Sequence, residues 1–195
     1  MTEKERKRLQ RSAAVAARRA IEPDTRQRWN EEIAARVLDL PEFSRARVIL
    51  SYCAMRGEVD PARIDAAARA LGKEIAYPQC CAAGLMLAAI PDDERAMQRG
   101  VLGMMEPVPG HYSIVPPEQI DLVLVPCAAF DSRCVRVGLG GGYYDRYLKL
   151  CRRAKTVALA YELQRVSMAA REAHDIALDA VASNAALYRA KENKK

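Results

Sequence analysis

The sequence predicts an α/β protein with a mostly parallel sheet and helices on both faces of that sheet. Apolar runs with strand character alternate along the chain with segments of helical periodicity, as they do in βαβ units. The runs are continuously apolar rather than alternating, which is typical of strands buried on both sides. We expect a single three-layer domain over residues 1–195, with a basic helical arm at the N-terminus and a disordered or solvated tail at 185–195.

The helices are predicted from periodicity and from start and stop signals. Trp29, Ile33 and Val37 recur at helical spacing after Pro23 and before Pro41. Helices are expected at 4–20, from 23 to just before 41, between 60 and 72, and from 143 to 150.

Strands are predicted wherever a short apolar run lies between turn signals. The clearest is LVLVP at 122–126. The others are expected at 48–52, 74–78, 85–90 and 156–161. Residues 91–119 are rich in Pro and Gly without strong periodicity, and we interpret them as an irregular connection.

The net charge of +6 is concentrated at the two ends of the chain. Residues 1–28 carry nine Lys or Arg against four Asp or Glu, and residues 191–195 add a further net +2. A nucleic-acid-binding domain usually spreads its positive charge over one face, so the pattern argues against that class without excluding an RNA-associated protein.

The compartment signals favour a cytoplasmic protein that does not enter a membrane. No apolar run approaches the ~20 residues that a membrane span needs, and the N-terminus lacks a signal peptide's apolar stretch. The six cysteines have no metal-ligand spacing, and only two histidines are present. We expect reduced, structural thiols, and neither a zinc site nor a Cys–His nucleophile.

The segment VGLGGGYYDRY at 137–147 carries the strongest chemical signal. Four glycines in five positions before a helix leave backbone N–H groups free to converge on an anion such as phosphate. Neither a Walker A loop nor a GxGxxG pattern is present. Arg136 and Arg146 flank the loop, and Asp145 is placed either to hold Mg²⁺ or to cap the helix. The alternative interpretation is a tight strand-to-helix turn.

The run LVLVPCAAFDSRCVRVGLGGGYYDRYL resembles the signature of the 5-formyltetrahydrofolate cyclo-ligase family, VPGxAFDxxGxRxGxGxGYYDxxL. Weaker likenesses follow in the same order along residues 4–180. They include Lys7 and Arg11 with Arg18 seven residues on, SYCAMRGEVDPARI at 51–64, YPQC at 77–80, GVLGMMEP at 100–107 and VALAYELQ at 157–164.

The resemblance implies an ATP- and Mg²⁺-dependent conversion of 5-formyltetrahydrofolate to 5,10-methenyltetrahydrofolate by a monomer without a protein nucleophile. For ATP it implies Lys7, Arg11, Arg136, Gly138, Gly140, Gly141, Gly142, Tyr143 and Tyr144. For the reduced folate it implies Cys53, Glu58 and Tyr144. For magnesium it implies Asp145 and Asp179. The alternative for Lys7 and Arg11 is a solvated helix face that binds no ATP. The alternative for Glu58 is an exposed turn that binds no folate.

Two departures from the family pattern bear on turnover. Leu139 stands inside the glycine loop where the family often has Arg or Lys, and Gln79 stands where Arg is common. Both changes remove a positive charge expected to face phosphate. The alternative hypothesis is therefore a relative that binds folate or nucleotide with weak or lost turnover.

Overall fold

The computed structural model describes residues 1–55, 57–81, 84–100 and 103–191. Its main element is an eight-stranded sheet in the order β12–β11–β10–β7–β1–β2–β3–β6. The strands of this sheet are β1 Val48–Leu50, β2 Glu74–Cys80, β3 Met86–Pro91, β6 Tyr112–Val115, β7 Leu122–Pro126, β10 Lys155–Leu159, β11 Ala180–Ala182 and β12 Leu187–Arg189.

The centre of the sheet is parallel and its edges are antiparallel. Strands β11, β10, β7, β1 and β2 pair in parallel, whereas β3, β6 and β12 run antiparallel to their neighbours. The predicted α/β class with a mostly parallel sheet is therefore confirmed. Two small antiparallel pairs lie outside this sheet, formed by β4 Met97–Arg99 with β5 Met105–Pro107 and by β8 Ala129–Phe130 with β9 Arg136–Val137.

Five helices accompany the strands in the described part of the chain: α1 Glu3–Arg19, α2 Pro23–Leu38, α3 Pro41–Arg45, α4 Ala62–Ala70 and α5 Tyr143–Tyr147. Helix α2 packs Ile33 and Val37 on one face of the sheet, together with α3 and α4. The other face packs against Tyr147 and Leu148 of the α5 region and against irregular segments. Helices thus lie on both faces, as predicted.

The apolar runs supply both faces because successive side chains of a strand point to opposite sides. In β7, Leu122 and Leu124 join the core on the α2 side, while Val123 and Val125 join the core on the α5 side. All four are fully buried. This is the burial that the continuous apolar pattern predicted.

Two sequence predictions are wrong in detail. The connection at 91–119 contains β4, β5 and β6, and its residues 101–102 lie outside the described residues. The expected tail at 185–195 begins too early, because Leu187–Arg189 pair with β11 as the edge strand β12. Residues 192–195 of that predicted tail lie outside the described residues.

The topology places a crevice at the centre of the sheet. From β1 the chain proceeds to β2 on one side, and from β7 to β10 and β11 on the other, so the order reverses between β1 and β7. Ligands of open α/β sheets bind beyond the carboxyl ends of the strands at such a point. Met55 after β1 and Pro126 at the end of β7 both line a cavity there.

Candidate active site

A cavity of about 750 Å³ opens at the carboxyl ends of the central strands. Helix α1, the glycine loop 138–142 and the segment 172–175 form its polar side. Its apolar side comes from the ends of β2 and β3 and from two methionines, and consists of Met55, Pro78, Cys80, Met86 and Met104.

Helix α1 presents one face to the protein. Thr2 and Glu5 form a capping box at its start, in which each side chain bonds the other residue's backbone N–H. Lys7, Arg11 and Arg18 recur at spacings of four and seven, so they lie on one side of the helix. Lys7 and Arg11 line the cavity, and Arg18 is buried at the other end of the helix.

The ammonium of Lys7 lies between two carboxylates of the late segment. Its Nζ is 2.5 Å from Asp175 and 2.8 Å from Glu172. Burial alone lowers the pKa of Lys7, but its hydrogen bonds to the two carboxylates outweigh burial, so that the pKa is raised. Lys7 is therefore a fixed positive charge on the cavity wall.

Arg11 joins helix α1 to the glycine loop. Its Nε donates to the carbonyl of Gly138 at 2.7 Å. Gly140 lies at a φ of +109°, and a Cβ there would be 3.3 Å from the Arg11 guanidinium. The loop thus depends on glycine both for its backbone conformation and for the close approach of Arg11.

Arg136 forms a buried ion pair at the back of the loop. Its Nη2 lies 3.1 Å from Asp145 Oδ1, and the same oxygen accepts from the backbone N–H of Ile176. Arg136 is only 3% exposed, and its Nε has no hydrogen-bond partner among the described residues. Both side chains line the cavity.

Tyr143 and Tyr144 line the cavity at the start of α5. Burial, followed by the negative charge of Glu58, raises the pKa of Tyr144, and its hydroxyl is buried without a partner in the described part of the structure. Arg146 bonds the glycine loop. It donates to the carbonyls of Gly84 and Gly141 and lies over the ring of Tyr143.

Glu58 and Cys53 lie behind the cavity rather than on its lining. Glu58 is 5% exposed, accepts from the N–H of Met55, and pairs with Arg18 at 3.6 Å. Cys53 packs against the core on the α2 side, and burial raises its pKa to about 11. The structure therefore brings Glu58 next to the cavity residue Met55, whereas Cys53 is not among the lining residues.

The two departures from the family pattern occupy different environments. Leu139 lines the cavity. Gln79 does not, since its Nε2 donates to Glu106 Oε2 at 2.9 Å, and Glu106 is 1% exposed. Gln79 thus lies off the cavity lining and bonds a buried carboxylate, so of the two departures only Leu139 lies at the cavity.

The structure places Asp179, which was expected to bind magnesium, away from the cavity. It accepts from the N–H and hydroxyl of Thr156 and pairs with Lys155, at the start of β10. The cavity lies at the carboxyl end of the sheet, so Asp179 is at the opposite end from Asp145. Sequence analysis missed Glu172 and Asp175, which do line the cavity.

Carboxylates at the cavity fit a metal ion that arrives with a phosphate ligand. The residues that the structure describes contain no group of three or more His, Cys, Asp or Glu that could hold a metal ion. Asp145 and Asp175 line the polar side, each in contact with a cation. Mg²⁺ usually binds one or two carboxylates together with substrate phosphates and waters, which this donor set allows.

Burial raises the thiol pKa values of Cys80 and Cys127. Cys80 lines the apolar side of the cavity, and burial raises its pKa to about 12. Cys127 lies behind it, and burial likewise raises its pKa to about 12. Because the thiolate is the nucleophilic form, both thiols are poor nucleophiles.

Among the residues that the structure describes, no helix is long and apolar enough to cross a bilayer.

Comparisons with known proteins agree on one family. The model of the 5-formyltetrahydrofolate cyclo-ligase family matches residues 3–184. The 5-formyltetrahydrofolate cyclo-ligase of Escherichia coli K12 is 31% identical over 170 residues, which cover 84% of this chain and 92% of that protein.

Solved structures show the same architecture. The 5,10-methenyltetrahydrofolate synthetase of Aquifex aeolicus superposes with a TM-score of 0.84 at 29% identity, covering 97% of this chain and 95% of that one. The 5,10-methenyltetrahydrofolate synthetase of Mycoplasma pneumoniae superposes with a TM-score of 0.74 at 20% identity, covering 90% of this chain and 97% of that one. At this identity the likeness supports the fold alone.

Proposed function

Because the chain belongs to the 5-formyltetrahydrofolate cyclo-ligase family of ATP-binding ligases in one-carbon metabolism, we propose that it uses ATP and Mg²⁺ to convert 5-formyltetrahydrofolate to 5,10-methenyltetrahydrofolate. One observation carries the proposal. A single cavity joins a cationic side with a glycine loop to an apolar side formed by methionines, Pro78 and Cys80. The cationic side suits a triphosphate, and the apolar side suits a flat heterocycle.

The proposed reaction has two steps. The formyl oxygen attacks the γ-phosphorus of ATP, and ADP leaves with the electrons of the broken P–O bond. N10 of the folate then attacks the activated formyl carbon, the C–O bond breaks, and inorganic phosphate leaves. N10 loses its proton as the ring closes. Both steps need alignment and charge neutralisation rather than a protein nucleophile, which agrees with the raised thiol pKa values.

The cations of the cavity are proposed to hold the triphosphate. Lys7, Arg11 and Arg136 line the cavity around the glycine loop. A guanidinium N–H aimed at phosphate gives a charge-assisted bond. We assign the backbone of Gly138 and Gly140–Gly142 to the phosphates and Tyr143 to the nucleotide side.

The folate is proposed to lie on the apolar side, with Tyr144 between the two substrates. Glu58 would accept N–H donors of the pterin ring, and Cys53 would support the wall behind it. Asp145 and Asp175 would hold Mg²⁺, which would supply positive charge to the phosphate oxygens. A monomeric state and a cytoplasmic location remain proposals, the second supported by six free cysteines.

The direct test is the absorbance of 5,10-methenyltetrahydrofolate after ATP, Mg²⁺ and 5-formyltetrahydrofolate are mixed with the protein. An ATP-dependent rise, with one ADP released per product, is expected. A folded protein that binds both ligands and gives no rise would favour the alternative of a relative that binds without turnover.

Leu139 is the observation that keeps this alternative open, because it lines the cavity without charge. If turnover is absent or weak, Leu139→Arg should restore it. If turnover in the unaltered protein is normal, Leu139 is tolerated because Lys7, Arg11 and Arg136 already supply three cations at the cavity.

A further inference from the structure

Arg18 is a fully buried arginine that the proposed mechanism does not use. It lies on the same face of α1 as Lys7 and Arg11, about 16 Å along the helix axis from Lys7. Its Nη1 donates to the carbonyl of Cys127 at 3.2 Å, and its Nη2 lies 3.6 Å from Glu58 Oε1. Arginine is rarely buried without partners of this kind.

Glu58 belongs to a turn that reaches the cavity. We call Met55, Gly57 and Glu58 the glutamate turn. The Glu58 carboxylate accepts from the N–H of Met55 at 3.1 Å, and the N–H of Glu58 donates to the carbonyl of Met55 at 3.0 Å. Met55 lines the cavity, so a shift of Glu58 shifts the cavity wall.

The end of α1 also packs directly against this turn. A Cβ added at Gly57 would be 3.6 Å from the Arg18 carbonyl and 3.7 Å from Arg26 Nη2. Arg26 in turn donates to the carbonyls of Arg18 and Ile21, which fixes the end of the helix. The helix end and the turn therefore form one packed unit, with the Arg18–Glu58 ion pair inside it.

We propose that Arg18 is a positioning residue that holds the Glu58 carboxylate and so joins the ATP-binding side of α1 to the folate-binding side of the cavity. The inference rests on the proposed function for its substrates, but the contact itself does not. A rigid helix carries Lys7 and Arg11 at one end and Arg18 at the other.

The first test needs no activity. In the ligand-free protein, Arg18→Met should speed hydrogen exchange at the amides of Met55 and Glu58 at least tenfold, since both amides bond within the turn that Arg18 holds. Arg19→Met is the matched control, because Arg19 is the exposed neighbour on the same helix. Unchanged exchange at these two amides in Arg18→Met would overturn the proposal.

The second test uses kinetics. Arg18→Met should raise the KM for 5-formyltetrahydrofolate about tenfold, while the calorimetric Kd for ATP alone stays within twofold. Arg18→Lys keeps the charge and should recover part of the loss, and it serves if the methionine variant does not fold. A structural role alone would lower the melting temperature of the variants without separating the two substrates.

A double-mutant cycle identifies the partner. If Arg18 acts through Glu58, the double variant Arg18→Met/Glu58→Gln should differ less than twofold from Glu58→Gln alone. The quantity compared is the KM, or the Kd, for folate. An equal effect in both backgrounds would overturn the proposal. If the unaltered protein binds no folate, the proposed function fails, and the exchange experiment still decides whether Arg18 holds the turn.

Discussion

At the scale of single residues, the structure separates two departures that look alike in the sequence. Leu139 and Gln79 both stand where the family often has a cation. Leu139 lines the cavity, whereas Gln79 bonds the buried Glu106. Sequence position alone could not distinguish them, because the side chain facing Gln79 comes from β5, 27 residues later.

Gln79→Arg and Leu139→Arg therefore make a matched pair that adds the same charge at two places. Leu139→Arg should lower the KM for ATP several-fold, because its guanidinium enters the cavity. Gln79→Arg should leave that KM within twofold, because it pairs with Glu106. Steady-state kinetics at saturating folate measures both, and a tenfold lower ATP KM in Gln79→Arg would contradict the assignment.

Asp65 is a buried carboxyl whose titration makes the stability of the fold depend on pH. It is 3% exposed and accepts from the hydroxyl of Tyr77, and burial raises the pKa of its carboxyl to about 6, above the usual range of an aspartate. A raised pKa in the folded state means that its contribution is fully present below about pH 4. That contribution is lost as the pH rises through about 6.

Asp65→Asn removes this titration and keeps an acceptor for Tyr77. Relative to the unaltered protein, the variant should gain about 2 kcal/mol in the free energy of unfolding between pH 4 and pH 7. Urea unfolding at several pH values measures the difference. The exposed Asp92→Asn serves as the control, and parallel pH profiles for Asp65→Asn and the unaltered protein would show that Asp65 is not perturbed.

At the scale of elements, the long patterns could be predicted from the sequence and the short ones could not. Helix α2 and strand β7 follow from clear periodicity and a continuous apolar run. Strands β11 and β12 have three residues each and were not among the predicted strands, and β12 lies in the segment predicted to be a tail. Such strands depend on β10 as their neighbour, which no local pattern reports.

The candidate site divides in the same way. The glycine loop is a local motif, and the spacing of Lys7 and Arg11 puts both on one helix face, so each was predictable. Asp175 was missed and Asp179 was chosen because four residues separate them in an irregular segment. Only the fold shows that this segment passes from one end of the sheet to the other.

The glycine loop can be tested as an element with a matched control elsewhere. Gly140→Ala places a Cβ at a φ of +109° and 3.3 Å from Arg11, whereas Gly72→Ala places one at a φ of +71°, also positive, with nothing within 4 Å. Each should cost about 1–2 kcal/mol of stability. Only Gly140→Ala should raise the Kd for ATP, by at least tenfold, in calorimetry. Equal ATP affinities in the two variants would make the loop a mere turn.

At the scale of the whole molecule, the fold directs three of the nine cations of residues 1–28 inward. Lys7, Arg11 and Arg18 contact Asp175, the Gly138 carbonyl and Glu58, so these cations are directed inward. This supports the proposal that the chain acts on small molecules and not on nucleic acid. The single eight-stranded sheet likewise supports the proposal of one domain.

The central claim is that the formyl oxygen becomes a phosphate oxygen during ring closure. The most direct measurement uses 5-formyltetrahydrofolate labelled with ¹⁸O in the formyl group, together with ATP, Mg²⁺ and the protein. Mass spectrometry of the released inorganic phosphate should find one ¹⁸O atom for each methenyltetrahydrofolate formed. Unlabelled phosphate, with the label released to water, would contradict the proposed mechanism.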